Sequence, residues 1–215
     1  MQIPMNCDAM HTADSKRWRV AVSEIAVPQS FSIPENVSMA DSVFRHEKES
    51  PEFVAFERPM DGKWVKVSAR EFADQVRSVA KGLMASGIEF GDRVAILSGT
   101  RYEWVLLDYA IWTAGGVTVA IYETSAADQS KWILEDSGTS ILVVEKDEYA
   151  DVVREVADAA PALREMLTIE PGSDGKSAVD ELIARGTAIT DEQVEERRAF
   201  VVDDSAATLI YTSGT

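Results

Sequence analysis

The last five residues, Tyr211-Thr212-Ser213-Gly214-Thr215, are of the types that could hold a phosphate. They follow the apolar run Ala206-Ala207-Thr208-Leu209-Ile210, which reads as a buried strand. A strand that opens into small hydroxyl residues and Gly can surround phosphate oxygens with backbone N–H groups and hydroxyls, and Gly lets the backbone come close. The same five residues also suit an ordinary Ser/Thr/Gly turn after a strand. Taken alone, they leave both readings open. Thr212, Ser213, Gly214 and Thr215 are the candidate phosphate-binding residues.

Other chemistry-bearing patterns are absent or weak. The chain has no G-x-G-x-x-G, no G-x-x-x-x-G-K-[ST] and no G-x-S-x-G, so dinucleotide, Walker and nucleophile-elbow fingerprints are missing. Asp203-Asp204 could be imagined as a metal pair, but adjacent carboxylates on an extended chain point apart, and a turn before the strand is expected. His11 and His46 are too few and too far apart to suggest a metal site, and none is expected. His46, within Arg45–Glu49, and Glu195-Glu196-Arg197-Arg198 are expected on solvated helix faces. Trp104, Trp112 and Trp132 fall on or beside expected helices and are read as core.

The elements that would position the terminal loop alternate regularly. Residues 1–35 have weak periodicity and carry Pro4, Pro28 and Pro34, so they read as an N-terminal arm with one extended piece near Trp18–Val27. Phe53–Glu57 and Trp64–Val67 read as strands around the Asp61-Gly62 turn. Ser68-x-x-Glu71 is a capping box, followed by the helical stripe Phe72, Val76, Val79 and Leu83, with Gly87 at its stop. Arg93–Ser98 is a strand, and Thr100-x-x-Glu103 is expected to start a helix with Tyr102, Val105, Leu106, Tyr109 and Ala110 on its apolar face. Val117–Ile121 is a strand, and Ser125-x-x-Asp128 opens a helix that ends at Gly138. Ile141–Val144 is a strand. Tyr149, Val152, Val153, Val156 and Ala160 form a helical stripe before Pro161. Met166–Ile169 is a strand, Glu170–Lys176 a loop, and short helices follow from Ser177-x-x-Asp180 and Thr190-x-x-Gln193. The terminal strand comes last. This alternation predicts an α/β fold with a mostly parallel, open sheet flanked by helices. In such sheets ligands sit beyond the C-terminal strand ends, where Thr212–Thr215 fall.

Composition narrows the function. Of 215 residues, 46% are hydrophobic and 27% charged, which predicts a packed core. The net charge of −16 argues against nucleic-acid binding and against electrostatic attachment to an anionic membrane. ATP stays compatible if Mg²⁺ offsets its phosphates. Cys7 is the only cysteine, so no intrachain disulfide is possible; with no secretory signal visible, a reducing cytosol is expected. The longest uncharged stretch, Tyr109–Tyr122, has 14 residues, short of the roughly 20 that a spanning helix needs, so no transmembrane segment is expected. Peripheral membrane contact is left open.

Three ordered segments resemble one family. Asp203–Thr215 looks like the entry to the phosphate loop of the adenylate-forming (AMP-binding) superfamily, whose loop reads Y-T-S-G-T-T-G-x-P-K-G. Gly87-Ile88-Glu89-Phe90-Gly91-Asp92-Arg93-Val94-Ala95-Ile96-Leu97 is similar to its G-x-x-x-G-D-R-V-A-I segment. Ala114–Ser125 and Gln129–Gly138 resemble the bacterial long-chain fatty acid–CoA ligase branch, with Ala120 where many of its members have Pro. The resemblance runs from about residue 35 to the end. It implies that residues 36–215 are the N-terminal part of a larger adenylate-forming domain.

The resemblance also implies a chemistry. Enzymes of this family join a carboxylic acid to coenzyme A through an acyl-adenylate made from ATP. Thr212, Ser213, Gly214 and Thr215 would hold the β- and γ-phosphates as pyrophosphate leaves, and Mg²⁺ would neutralise the developing charge. The small-molecule substrates would be a fatty acid, ATP and CoA. The family's catalytic residues lie beyond Thr215, so the parent is expected to be an acid–thiol ligase and this chain alone inactive. Two alternatives stand beside it: an acyl-AMP ligase feeding a carrier protein, and a truncated, non-catalytic binding module.

Overall fold

The computed structural model describes residues 27–28, 30, 32, 35–60, 62–157, 160–172 and 175–212. Cys7, His11, the expected extended piece up to Ala26, and Ser213, Gly214 and Thr215 lie outside the described residues. Residues from Pro34 onward form one compact unit.

Helix α1 (Asp41–Glu49) precedes an antiparallel hairpin of β1 (Val54–Met60) and β2 (Lys63–Ser68). Helix α2 (Ala69–Ala85) starts at the expected capping box: the Glu71 N–H donates to Ser68 Oγ at 3.2 Å, and Glu71 Oε2 accepts from the Ser68 N–H at 2.8 Å. The box satisfies the Ser68 and Glu71 N–H groups, and the Ala69 and Arg70 N–H groups donate to the Phe53 and Pro51 carbonyls at 2.8 and 3.1 Å. Its stripe Phe72, Val76, Val79 and Leu83 is buried as expected. Each of these side chains contributes roughly 1.5–3 kcal/mol by burial, and Leu83→Ala would cost about 2–5 kcal/mol.

Four further βα units follow. Strands β3 (Arg93–Leu97), β4 (Val117–Ile121), β5 (Ile141–Val144) and β6 (Glu165–Thr168) alternate with α3 (Tyr102–Thr113), α4 (Ala127–Ser137) and α5 (Asp147–Ala157). Helix α6 (Ala178–Arg185), a 3-10 turn at Gly186–Ala188 and α7 (Asp191–Arg198) lead to β7 (Thr208–Ile210). The five strands β3–β7 form one parallel sheet in the order β6-β5-β3-β4-β7.

Period-2 alternation splits the core in two. Val94, Ile96, Ile141 and Val143 pack with α2, α3 and α6, whereas Ala95, Leu97, Leu142 and Val144 pack with α4 and α5. Strands covered on both faces explain their unbroken apolar character. On the first face α2 and α6 touch backbone to backbone. A Cβ on Gly82 would lie 2.1 Å from the Leu182 carbonyl oxygen, so only Gly permits that approach.

Several expectations need correction. Thr100 does not cap α3: the N-cap is Arg101, without a side-chain cap bond, because Glu103 is drawn into an ion pair with Arg101 at 2.7 Å. Ser125 does not cap α4; the helix starts one residue later, after Ala126. Arg197 and Arg198 are only partly exposed. Arg197 donates to the carbonyls of Ile88 and Ala114 at 2.9 and 3.2 Å, and Arg198 pairs with Asp41 and lies 4.9 Å over the Phe44 ring. They bolt α7 to the first face. Trp112 is buried as expected, but Trp132 is 55% exposed. The terminal strand is shorter than Ala206–Ile210, since only Thr208–Ile210 align with β4, and at the sheet edge it is half-buried to exposed rather than buried.

Candidate functional site

Helix α3 joins β3 to β4 on one face, and α4 joins β4 to β5 on the other, returning past β3. The chain leaves β3 toward β4 and leaves β5 toward β6 in opposite directions, so the strand order reverses between the neighbours β3 and β5. A crevice opens beyond the C-terminal ends of strands at such a point. Its walls here are Ser98-Gly99 after β3 and Glu145 after β5, while Tyr122-Glu123 after β4 and Tyr211-Thr212 after β7 leave the same pole of the sheet.

The β3 wall is held from across the sheet. The Gly99 N–H and the Ser98 hydroxyl both donate to Glu145 Oε2, at 2.8 and 3.1 Å, just after β5. Arg101 bridges Glu103 at 2.7 Å, Glu170 at 3.1 Å and Glu145 at 3.6 Å. Burial opposes its charge, but these carboxylates outweigh that and hold the guanidinium above its usual range. Glu123 lies on the other side of Gly99, 3.7 Å from where a Cβ would stand. The rim is acidic, and Arg101 is already engaged by carboxylates.

Of the candidate residues, Thr212 is exposed where the chain leaves β7 beside β4. Ser213, Gly214 and Thr215 lie outside the described residues. Tyr211 turns its ring onto α4. It meets Trp132 edge to face, with centroids 5.2 Å apart at 84°, and its hydroxyl donates to Asp136 Oδ2 at 2.8 Å. Sequence reading missed Trp132 and Asp136 as neighbours of Tyr211 and Glu145 as the partner of Ser98 and Gly99, and periodicity carries no trace of contacts spanning 46–79 residues. Asp203-Asp204 form an exposed turn in which the Val202 N–H donates to Ser205 Oγ at 3.0 Å.

The motif segments upstream meet at the opposite pole of the sheet. Arg93 donates to the carbonyls of Ser137 at 2.6 Å and Gly138 at 2.9 Å, placing a cation at the α4 C-terminus. Gly138 ends that helix at φ +61°, a conformation that favours Gly. The Gly91 N–H donates to the Gly115 carbonyl at 2.8 Å, and the Val117 N–H to the Asp92 carbonyl at 2.7 Å. These segments are scaffold. A cavity of about 540 Å³ between Phe90, Arg93, Gly116, Phe200 and Leu209 also opens at this pole, away from the crevice.

Comparison with known proteins agrees with this architecture. Residues 43–215 match the AMP-binding enzyme family, and the chain belongs to it. It is 44% identical over 192 residues to the long-chain-fatty-acid–CoA ligase FadD15 of Mycobacterium tuberculosis, covering 89% of this chain and 32% of that protein. The chain thus spans about a third of that relative's length. It is also 29% identical over 149 residues to the uncharacterized protein Rv1549 of the same organism, covering 69% of this chain and 78% of Rv1549. A long-chain-fatty-acid-CoA ligase (FadD1) from Archaeoglobus fulgidus superposes with a TM-score of 0.71 at 19% identity, over 89% of this chain and 37% of that one, which shows a shared fold.

Proposed function

We propose that this chain is the N-terminal part of an AMP-forming long-chain fatty acid–CoA ligase, with residues 36–215 the first portion of its adenylate-forming domain and residues 1–35 an arm. The observation that carries the proposal is the exit of β7 beside β4. It sets Thr212 at the pole formed by the C-terminal ends of the parallel strands, where a nucleotide phosphate is expected in this fold.

In the reaction, the fatty-acid carboxylate attacks the α-phosphorus of ATP, the bond to pyrophosphate breaks, and an acyl-adenylate forms. The CoA thiol then attacks the acyl carbon and AMP leaves. The carboxylate alone offers a thiol no good leaving group, and adenylation supplies one. Catalysis of the first step is a matter of alignment and charge stabilisation. In this chain Thr212, Ser213, Gly214 and Thr215 supply hydroxyl and N–H donors to the leaving phosphates. Mg²⁺ would neutralise the phosphates. The site of action is proposed to be cytoplasmic; among the described residues no helix is long and apolar enough to cross a membrane.

Fusing this chain to the part of FadD15 that follows the match tests the reading. The chimera should form AMP only when fatty acid, ATP and CoA are all present, and the 215-residue chain alone should form none. A folded chimera without such activity would overturn it. The existence of Rv1549, which is similar to most of this chain and little longer than the matched stretch, supports a second reading as a self-standing, non-catalytic module. Nucleotide binding by the isolated chain together with an inert chimera would favour that second reading.

A further inference from the structure

Strand β7 is short and lies at the sheet edge, paired only with β4 among the described residues. Short edge strands fray, and backbone pairing over three residues is a weak way to aim the chain that follows. The side chain at the exit is held instead. Trp132 and Asp136 stand four residues apart on α4, on one helix face, and both reach Tyr211. One gives a ring contact at 5.2 Å, the other a hydrogen bond at 2.8 Å.

The placement of both residues is otherwise unfavourable. Trp132 is 55% exposed, although nothing about an isolated amphipathic helix asks for Trp on its open face. Asp136 sits in the last turn of α4, where the helix dipole disfavours an anion. A phenol donor offsets that cost. Desolvation first, then the Asp136 carboxylate, push the Tyr211 phenol up to about 12, so it stays protonated and donating at neutral pH.

We propose that Trp132 and Asp136 clamp Tyr211 and thereby set the direction in which the chain leaves β7, acting as positioning residues for the phosphate contacts of Thr212 and its successors. Consecutive Cα atoms are about 3.8 Å apart, so fixing Tyr211 fixes Thr212 to within one peptide unit. The phosphate part of this proposal rests on the ligase reading above; the clamp does not.

The test uses the 215-residue chain with variants Trp132→Ala, Tyr211→Phe and Asp136→Ala, and the double variant Tyr211→Phe/Asp136→Ala. Amide exchange at Tyr211 and Thr212 is followed by NMR, with Leu142 and Val143 of β5 as internal controls, and inorganic pyrophosphate with Mg²⁺ is titrated as the probe. Trp132→Ala should speed exchange at Tyr211 and Thr212 about tenfold, equivalent to about 1.4 kcal/mol, and weaken pyrophosphate by a similar factor. Tyr211→Phe and Asp136→Ala should each give about threefold, and the double variant no more than either alone, because they remove one bond. The β5 amides and the thermal midpoint should stay put, which separates positioning from general destabilisation. Exchange at Tyr211 and Thr212 unchanged in Trp132→Ala, or single effects that multiply in the double variant, overturns the clamp. Altered exchange with no pyrophosphate binding even in the parent chain upholds the clamp and overturns the phosphate reading.

Discussion

Replacing Asp108 by Asn should stabilise the protein at neutral pH, and the gain should vanish in mild acid. Asp108 lies on α3 and is 7% exposed. Its Oδ1 and the Thr118 Oγ1 of β4 are shut off from solvent, and neither makes a hydrogen bond of standard geometry. Burial pushes the carboxyl up to about 6; the Thr118 hydroxyl is close enough to pull the other way, but less strongly. Against an ordinary value of 3.8 the rise is about two pH units, or at most about 3 kcal/mol. The sign follows from proton counting. Between pH 4 and 6 the unfolded chain has released this proton while the folded one still holds it, so stability falls as pH rises through that window and is flat above it. Asn carries no such proton and keeps the size of Asp. Urea unfolding of both proteins from pH 4 to 8 should show the variant gaining at most about 3 kcal/mol relative to the parent between the two ends, on a total stability of order 5–15 kcal/mol. Taking the difference cancels the other carboxylates. A difference that does not change with pH, or that shrinks as pH rises, would refute burial as the cause.

Gly82→Ala should destabilise by more than about 2 kcal/mol, because its Cβ would meet the Leu182 backbone at 2.1 Å and force α2 from α6; thermal melting reads this, and a neutral result would show that the helices slide freely. Arg197→Ala should cost about 1–3 kcal/mol in urea unfolding, since it leaves the Ile88 and Ala114 carbonyls without that donor and frees α7; a loss under about 0.3 kcal/mol would mean that water replaces it. The chain on its own should bind an apolar dye and self-associate: Phe200 is 69% exposed, Trp64 72% and Ile210 66%, and β7 leaves an open edge. A monodisperse monomer at high concentration without dye binding would count against this.

Much of the fold was legible because its signals are local. The caps Ser68, Ser177 and Thr190 held, since a side chain bonding an N–H three residues on is settled within one turn. The β-branched runs Val117–Ile121 and Ile141–Val144 are strands as read, because both of their faces are covered. Thr100 failed as a cap where distant groups intervene: Glu103 pairs with Arg101, which Glu145 and Glu170 also engage, and the Gly99 N–H is tied to Glu145, 46 residues away. The arginines of α7 looked like surface charge, but Arg197 bonds carbonyls 83 and 109 residues upstream and Arg198 pairs with Asp41, 157 residues upstream.

The sequence by itself determined the class of fold, the segments that mark the family and the residues offered to a phosphate. Periodicity, capping and residue type are properties of neighbours in the chain. Tertiary structure alone decided that β7 lies beside β4, that the crevice lies between β3 and β5, that its rim is acidic, and that Trp132 and Asp136 hold Tyr211. Those facts depend on which strands become neighbours. Strand order arises from packing helices onto two faces of one sheet, and no spacing within the chain encodes it directly.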